Sequence, residues 1–262
     1  MRIATWNINS VRLRIERVAE FTERFAPDIL CLQETKVHDD SFPEKDVRQM
    51  GYDHIAFAGM KGYNGVALLS RVPLENVQKM HWCGRSDARH ISATLPGGIE
   101  LHNFYIPAGG DIPDPDENEK FRHKLDFLDE MTRWFPIHRK ATSRMILVGD
   151  LNIAPLETDV WSHKQLLKVV SHTPIEVEML GKVQDTIDWV DAVRRIIPPE
   201  EKLYSWWSYR ARDWTVADRG RRLDHVWVTP PLRDTVRGAE VVREARGWEQ
   251  PSDHVPVIVD FD

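Results

Sequence analysis

A short apolar run that ends abruptly in polar residues constrains this chain more than any other feature. The run is Met145, Ile146, Leu147 and Val148, inside the stretch RMILVGDLNIAP from Arg144 to Pro155, and it stops at Gly149, Asp150, Leu151 and Asn152. Consecutive apolar residues suit a strand covered on both faces. A carboxylate and an amide therefore stand where a core strand runs out. In layered α/β folds ligands bind at such ends, because side chains leave the packed core there while the backbone beneath them stays rigid. If the extended conformation continues that far, Asp150 and Asn152, two residues apart, point the same way. Gly, Asp and Asn are also the commonest turn residues, so taken alone this stretch reads as a turn.

The same event recurs along the chain. Residues 2 to 8 (RIATWNI) alternate as a strand does and end in Asn7 and Asn9, with Ser10 as a helix N-cap. Val11, Ile15, Val18, Phe21 and Phe25 then predict a helix over 11–25, closed before Pro27. Asp28 to Thr35 (DILCLQET) predicts a second buried strand that stops at Gln33 and Glu34. Strand pairs are predicted over 51–60 with 65–69, and over 91–95 with 99–106 across Pro96-Gly97-Gly98. Ala108 to Asp116 is a loop, and Glu117 to Phe135 a helix leading back to the central strand. Beyond Pro155 the pattern predicts short helices over 161–170 and 187–197. An aromatic stretch YSWWSY (204–209), a strand LDHVWVT and a last apolar strand after Ser252, Asp253 and His254 follow.

A chain of 262 residues is long for one domain, yet large sandwiches and barrels of this length are often single, so one domain over 1–262 is expected. Hydrophobic content of 42% with 29% charged residues is that of a soluble globular protein. A net charge of −6 excludes binding nucleic acid by bulk charge alone, but not through a local basic face. No signal-peptide pattern and no stretch near the ~20 apolar residues of a membrane span is found, so no membrane association is expected. Cys31 and Cys83 are too few for a disulfide framework or a metal knuckle. The expectation is a cytoplasmic, bacterial monomer.

Each polar strand end has an ordinary explanation taken singly: Asn7 as a cap, Glu34 paired with Lys36, Asp224 with Arg222, His254 as a surface histidine. Their repetition argues otherwise, since Asn7, Glu34, Asp150, Asn152, Asp224, Asp253 and His254 all border apolar strands. Oxygen ligands with one histidine and no cysteine pair suit a hard cation, Mg²⁺ or Mn²⁺, and such a site suits phosphoryl chemistry.

Six motifs, in order and spread over the whole chain, then resemble the exonuclease III type of abasic-site endonuclease, a branch of the endonuclease/exonuclease/phosphatase superfamily. They are WNIN (Trp6 to Asn9), DILCLQETK (Asp28 to Lys36), YNGVALLS (Tyr63 to Ser70), GDLN (Gly149 to Asn152), GRRLDH (Gly220 to His225) and SDH (Ser252 to His254). The resemblance implies an α/β fold, a four-layer sandwich of two mixed sheets packed face to face with helices outside. It also implies hydrolysis of DNA phosphodiesters on double-stranded DNA with abasic sites or 3′ ends, in base-excision repair. Glu34, Asn7 and Asp253 would hold the metal, and Asp150 would deprotonate the attacking water or bind a second metal. Asn152 would hold the nucleophile or a phosphate oxygen, or serve as a ligand. His254, oriented by Asp224, would contact the phosphate and could also ligate. Tyr105 matches the family's active-site tyrosine. Lys36, Arg71, Arg210, Arg212, Arg221 and Arg222 would contact phosphates, and Trp206 and Trp214 would wall a pocket for a flipped-out sugar.

The tryptophans could instead be core residues, and strand alternation should send one of Trp206 and Trp207 inward. The sequence departs from the family pattern at Ala108-Gly109-Gly110 after YIP, at Asp218, at Asp191-Ala192-Val193-Arg194 and at Arg221, where relatives are often apolar. These departures bear on substrate preference. Two rivals are a phosphoinositide or sphingomyelin phosphatase with the same metal site, and a DNA-binding module that has lost its chemistry. Lys36, Tyr105 and the arginine-tryptophan segment argue against the first. The complete set of competent residues argues against the second.

Overall fold

The computed structural model describes residues 1–262. Along the chain run β1 (Arg2–Asn7), α1 (Ile15–Phe25), β2 (Ile29–Gln33), α2 (Glu44–Gln49), β3 (His54–Met60), β4 (Tyr63–Ser70), β5 (Glu75–Gln78), β6 (His90–Leu95), β7 (Ile99–Tyr105), α3 (Glu119–His138) and β8 (Met145–Asp150). Then come α4 (His163–Leu166), α5 (Pro174–Asp185), β9 (Val190–Asp191), α6 (Ala192–Ile196), β10 (Trp206–Trp207), α7 (Trp214–Ala217), β11 (Gly220–Arg221), β12 (Asp224–Val228), β13 (Val236–Val241) and β14 (Val257–Phe261).

Two six-stranded sheets form, in the orders β13-β14-β1-β2-β4-β3 and β5-β6-β7-β8-β12-β9, and β10 with β11 makes a separate ribbon. Both large sheets are mixed: β1 with β2 and β7 with β8 pair parallel, and the other pairs are antiparallel. Period-two alternation gives each strand two faces, and in the central strands β1, β2, β4, β7, β8 and β12 both are largely apolar. Ile3, Cys31 and Leu68 of the first sheet meet Leu101, Ile146 and Val226 of the second in a shared core. On the far side of the first sheet, Ala4, Trp6 and Leu30 pack under Val18 and Phe21 of α1. Phe104, Leu147 and Trp227 on the far side of the second pack under Phe127, Leu128 and Met131 of α3 and Leu180 of α5. The result is the expected four-layer α/β sandwich.

The same alternation positions the site. On the inter-sheet faces, Ile3, Thr5 and Asn7 follow one another on β1, Ile146, Val148 and Asp150 on β8, Leu101, Asn103 and Tyr105 on β7, and Val228, Val226 and Asp224 on β12. Register brings these strands' ends to one level, for Asp224 lies opposite Asp150, and Tyr105 beside it. Just below, the Gln33 amide donates to Thr5 Oγ1 (2.9 Å) and Asn103 Oδ1 (2.7 Å), and Asn103 donates across the sandwich to the carbonyls of Leu32 and Ala67, both at 3.0 Å. The interior thus grades from aliphatic to amide to carboxylate along the strands, with the N–H groups of the buried amides hydrogen-bonded and Gln33 Oε1 left without a partner. Gly149 makes the approach possible: its φ is +141°, and a Cβ there would lie 1.9 Å from the Phe104 carbonyl oxygen.

Several expectations shift. The first helix begins only at Ile15, after an irregular turn. Of the helix predicted over 161–170 only His163–Leu166 is helical, and that over 187–197 splits into a strand at Val190–Asp191 and a helix capped by Asp191, whose Oδ1 accepts from the amides of Val193 and Arg194. Helix α5 was not predicted because few of its residues are buried, although Thr173 and Glu176 form a capping box at its start. Asp150 and Asn152 do not share an extended strand: Asn152 is left-handed, with φ +55°. They meet by the alternative route, a turn in which the Asn152 amide N–H donates to Asp150 Oδ1 at 2.9 Å. No helix is long and apolar enough to cross a membrane.

Candidate active site

Glu34 follows β2 with φ +51°, a turn that aims its carboxylate toward β1 and β7. Its Oε1 accepts from the Asn7 amide (3.1 Å) and the Tyr105 hydroxyl (2.7 Å), and its Oε2 pairs with Lys36 Nζ at 2.7 Å. Burial pushes this carboxyl up, but Lys36, Tyr105 and Asn7 outweigh it and hold it below its ordinary value. Asn7 also donates to Asp150 Oδ2 at 2.9 Å, so one amide joins the two acids. Around Tyr105, burial and then the charges of Glu34 and Asp150 push the phenol well up, which leaves it a donor.

Asp150, Asp224 and His254 form the second half. His254 Nδ1 bonds Asp224 Oδ2 at 2.8 Å, and its Nε2 lies 3.7 Å from Asp150 Oδ2. Burial opposes charge on the ring, yet Asp224 and then Asp150 raise it to about 10, so it is an imidazolium at neutral pH. Burial above all, with Asp224 and Glu34 adding, lifts Asp150 to about 7 against the pull of His254 and Asn7. Asp224 is fixed in turn by Ser205 Oγ, which donates to its Oδ2 at 2.6 Å. Ser252 Oγ donates to the Asn7 carbonyl (2.7 Å) and accepts from the His254 N–H (3.2 Å), tying the histidine to β1.

Asn152 spends both amide hydrogens, on Ile106 O at 2.9 Å and Asp150 Oδ2 at 3.1 Å, which leaves Oδ1 as its free acceptor. Behind it the fully buried Lys124 of α3 donates to the Asn152 carbonyl at 2.8 Å and pairs with the equally buried Glu176. Asp253 accepts from Asn9 Nδ2 (3.0 Å) and from Trp206 Nε1 (2.9 Å), at the mouth of a groove of about 930 Å³.

Carboxylates of Glu34, Asp150 and Asp253 with the Asn152 oxygen are a hard donor set, and the crowding that lifts Asp150 is what a divalent cation relieves. Ligand atoms of Asp150, Asp224 and His254 also lie within 4.8 Å of one another.

The groove runs from Glu34, Asn152 and His254 past Trp206, Trp214 and Arg221 to Arg210 and Arg212. Trp207 is the inward member of its pair, 1% exposed, while Trp206 edges the groove. Two expected DNA contacts fall elsewhere. Arg222 is 1% exposed and binds Asp159 (2.8 Å from Nε) and Asp191 (2.7 Å from Nη1), so it locks the fold and offers no surface charge. Arg71 follows β4 where Ser70 pairs with Ile29, the opposite end of the sheet from Glu34, and lies over the Tyr52 ring at 5.6 Å. Lys36 is taken up by Glu34 and by Asn9 Oδ1 at 2.6 Å. Sequence reasoning missed Ser205, Lys124 and Glu176; the capping box at Thr173 was the only local clue to the last.

Fold and site together define a four-layer α/β sandwich with an acid–imidazolium centre at one end of its sheets. The chain belongs to the Endonuclease/Exonuclease/phosphatase family, whose model matches residues 4–254. It is similar to an AP endonuclease from Archaeoglobus fulgidus, with TM-score 0.93 and 34% identity over 100% of this chain and 99% of that one. A 3′-5′ exonuclease (NExo) from Neisseria meningitidis matches with TM-score 0.90 and 31% identity over 100% of both chains. Exodeoxyribonuclease III of Haemophilus influenzae is 28% identical over 100% of both sequences.

Proposed function

We propose that the chain is a metal-dependent DNA phosphodiester hydrolase of base-excision repair, taking Mg²⁺ or Mn²⁺. On this reading it incises double-stranded DNA 5′ to abasic sites and acts as a 3′ to 5′ exonuclease and 3′-phosphodiesterase. The observation that carries the reading is one groove lined both by Glu34, Asn152, Asp253 and His254 and by Trp206, Trp214, Arg210, Arg212 and Arg221. An ionic centre that can hydrolyse a phosphodiester opens directly onto a surface suited to a sugar-phosphate chain. Similarity to an AP endonuclease and an exonuclease over the whole chain supports the same substrate class.

In this mechanism Glu34, Asn7 and Asp253 would hold the cation, which would supply neutralisation of the charge developing on a phosphate oxygen. Asp150, poised near neutrality, accepts the proton of the attacking water, whose position the free Oδ1 of Asn152 helps to fix. The His254 imidazolium, held by Asp224, donates to a non-bridging oxygen. Tyr105, kept protonated, donates its one hydrogen to Glu34 Oε1 and so orients the carboxylate beside the phosphate. Hydrolysis leaves a 3′-hydroxyl.

A labelled duplex with one abasic analogue, beside an intact recessed-end duplex, tests this with Mg²⁺ and then EDTA. Incision 5′ to the lesion that EDTA abolishes is expected. Asp150→Asn should lower it about 10²- to 10⁴-fold with DNA binding retained. Two intact duplexes under Mg²⁺ and Mn²⁺ would overturn the assignment, as would full activity in the variant.

A further inference from the structure

Arg221, half-buried on the β10–β11 ribbon, is partnered differently from the buried arginines near it. Arg222 and Arg194 both reach Asp159, at 2.8 and 2.5 Å. Arg221 has no carboxylate within 4.0 Å. Its Nη1 donates to neutral oxygens only, Val170 O at 3.0 Å and Ser171 Oγ at 2.8 Å, and its Nε is buried without any partner. The guanidinium lies over the Trp206 indole at 5.1 Å, and Trp206 in turn donates to Asp253 and bridges His254. Strand register therefore sets Arg221, Trp206 and His254 side by side, with the arginine in the groove wall one strand removed from the hydrolytic centre.

A mostly buried cation held by neutral acceptors is an incomplete ion pair. Nothing in the chain completes it, although Asp159 satisfies two arginines nearby. The stacked indole and the bonds to Val170 and Ser171 keep the guanidinium plane fixed and leave Nη2 without a protein partner, a donor suited to an anionic oxygen.

We propose that Arg221 is a specificity-determining residue, an anion seat selecting 3′ ends whose blocking remnant carries a negative charge beyond the scissile phosphate. The chemistry sought is a carboxylate or a further phosphate on the substituent that stays on phosphorus when the 3′ oxygen departs. This rests on the reading of the chain as a 3′-phosphodiesterase and names the class of end it takes.

The test is a pair of recessed duplexes similar in size, one ended by a 3′-phosphoglycolate with its terminal carboxylate and one by a 3′-(2-hydroxyethyl) phosphate with a neutral terminus, with a third ended by a phosphate-linked phosphoethyl group. All three present the same phosphodiester. Wild type should remove glycolate about tenfold or more faster, as kcat/KM, than the hydroxyethyl group. Faster removal of the phosphoethyl group than of glycolate would assign the seat to phosphate, and the reverse order to carboxylate. Arg221→Leu should bring the ratios of charged to neutral ends near one while still removing the hydroxyethyl group, and Arg221→Lys should keep part of the preference. Thermal melts show which variants are folded, and Arg221→Gln, which keeps a donor for Val170, serves if the leucine variant is not. Equal rates on all three ends in wild type, or an unchanged ratio in a folded variant without the charge, would overturn the role of Arg221 alone. If no end is removed, the 3′-phosphodiesterase reading falls and takes this one with it.

Discussion

Replacing Lys124 by Met separates what holds the catalytic turn from what performs the chemistry. Lys124 and Glu176 are both wholly buried, and Glu176 also accepts from the amides of Ser171 (2.9 Å) and Thr173 (3.1 Å). Burial pulls the lysine below its ordinary value in spite of Glu176. Methionine fills most of the space but leaves a buried carboxylate unpaired and the Asn152 carbonyl without its donor, a loss of about 3–5 kcal/mol. A chain of 262 residues unfolds with an entropy of about 0.55 kcal/mol/K, so Tm should fall by about 5–9 °C. Lys124→Met with Glu176→Gln removes both charges and keeps acceptors for the two amides, so it should recover more than half of that loss. Because Asn152 is no longer braced, kcat on the abasic duplex should drop about tenfold in both variants with KM little changed. Thermal and urea melts beside steady-state kinetics measure both effects. A double variant as unstable as the sum of its two single changes would refute the argument that an unpaired charge is the cause.

Gly149→Ala should cost more than about 3 kcal/mol, because it adds left-handed strain at φ +141° to a clash with the Phe104 carbonyl. A wild-type Tm would contradict this. His225 is pushed down to about 4 by burial and then by Arg222, so it folds neutral. With an unfolded value of about 6.5, its contribution is complete above that pH and is lost as pH falls toward 4, on the order of 3 kcal/mol. Urea melts across this range should therefore show a shallower pH slope for His225→Gln than for wild type; equal slopes would exclude the buried histidine as the source. Tyr105→Phe removes the 2.7 Å bond that orients Glu34, and should lower kcat about 10²-fold. Unchanged kcat would remove the tyrosine from the mechanism.

What the sequence determined by itself was local: which runs are strands, which face of each is apolar, and where each run stops. Period-two alternation and the abrupt change from Val148 to Asp150, or from Leu32 to Glu34, are properties of neighbouring residues, so they survive without knowledge of the fold. The same locality explains the misses. Helix α5 buries too few residues to show a stripe, and β13 at the sheet edge has only Val236 fully buried. Composition could not tell Arg221 from Arg222, adjacent and chemically identical. Only the tertiary structure did so, by turning Arg222 onto Asp159, 63 residues away, and leaving Arg221 on the groove. Arg71 looked like a phosphate contact until pairing of Ser70 with Ile29 set it at the wrong end of the sheet. Ser205 became functional only because the chain brings it onto Asp224. Strand ends can be read from a sequence because a side chain's direction is fixed by its neighbours. Which ends meet is decided by register and long-range pairing, and that is what joined Asn7, Glu34, Asp150, Asp224 and His254 into one centre.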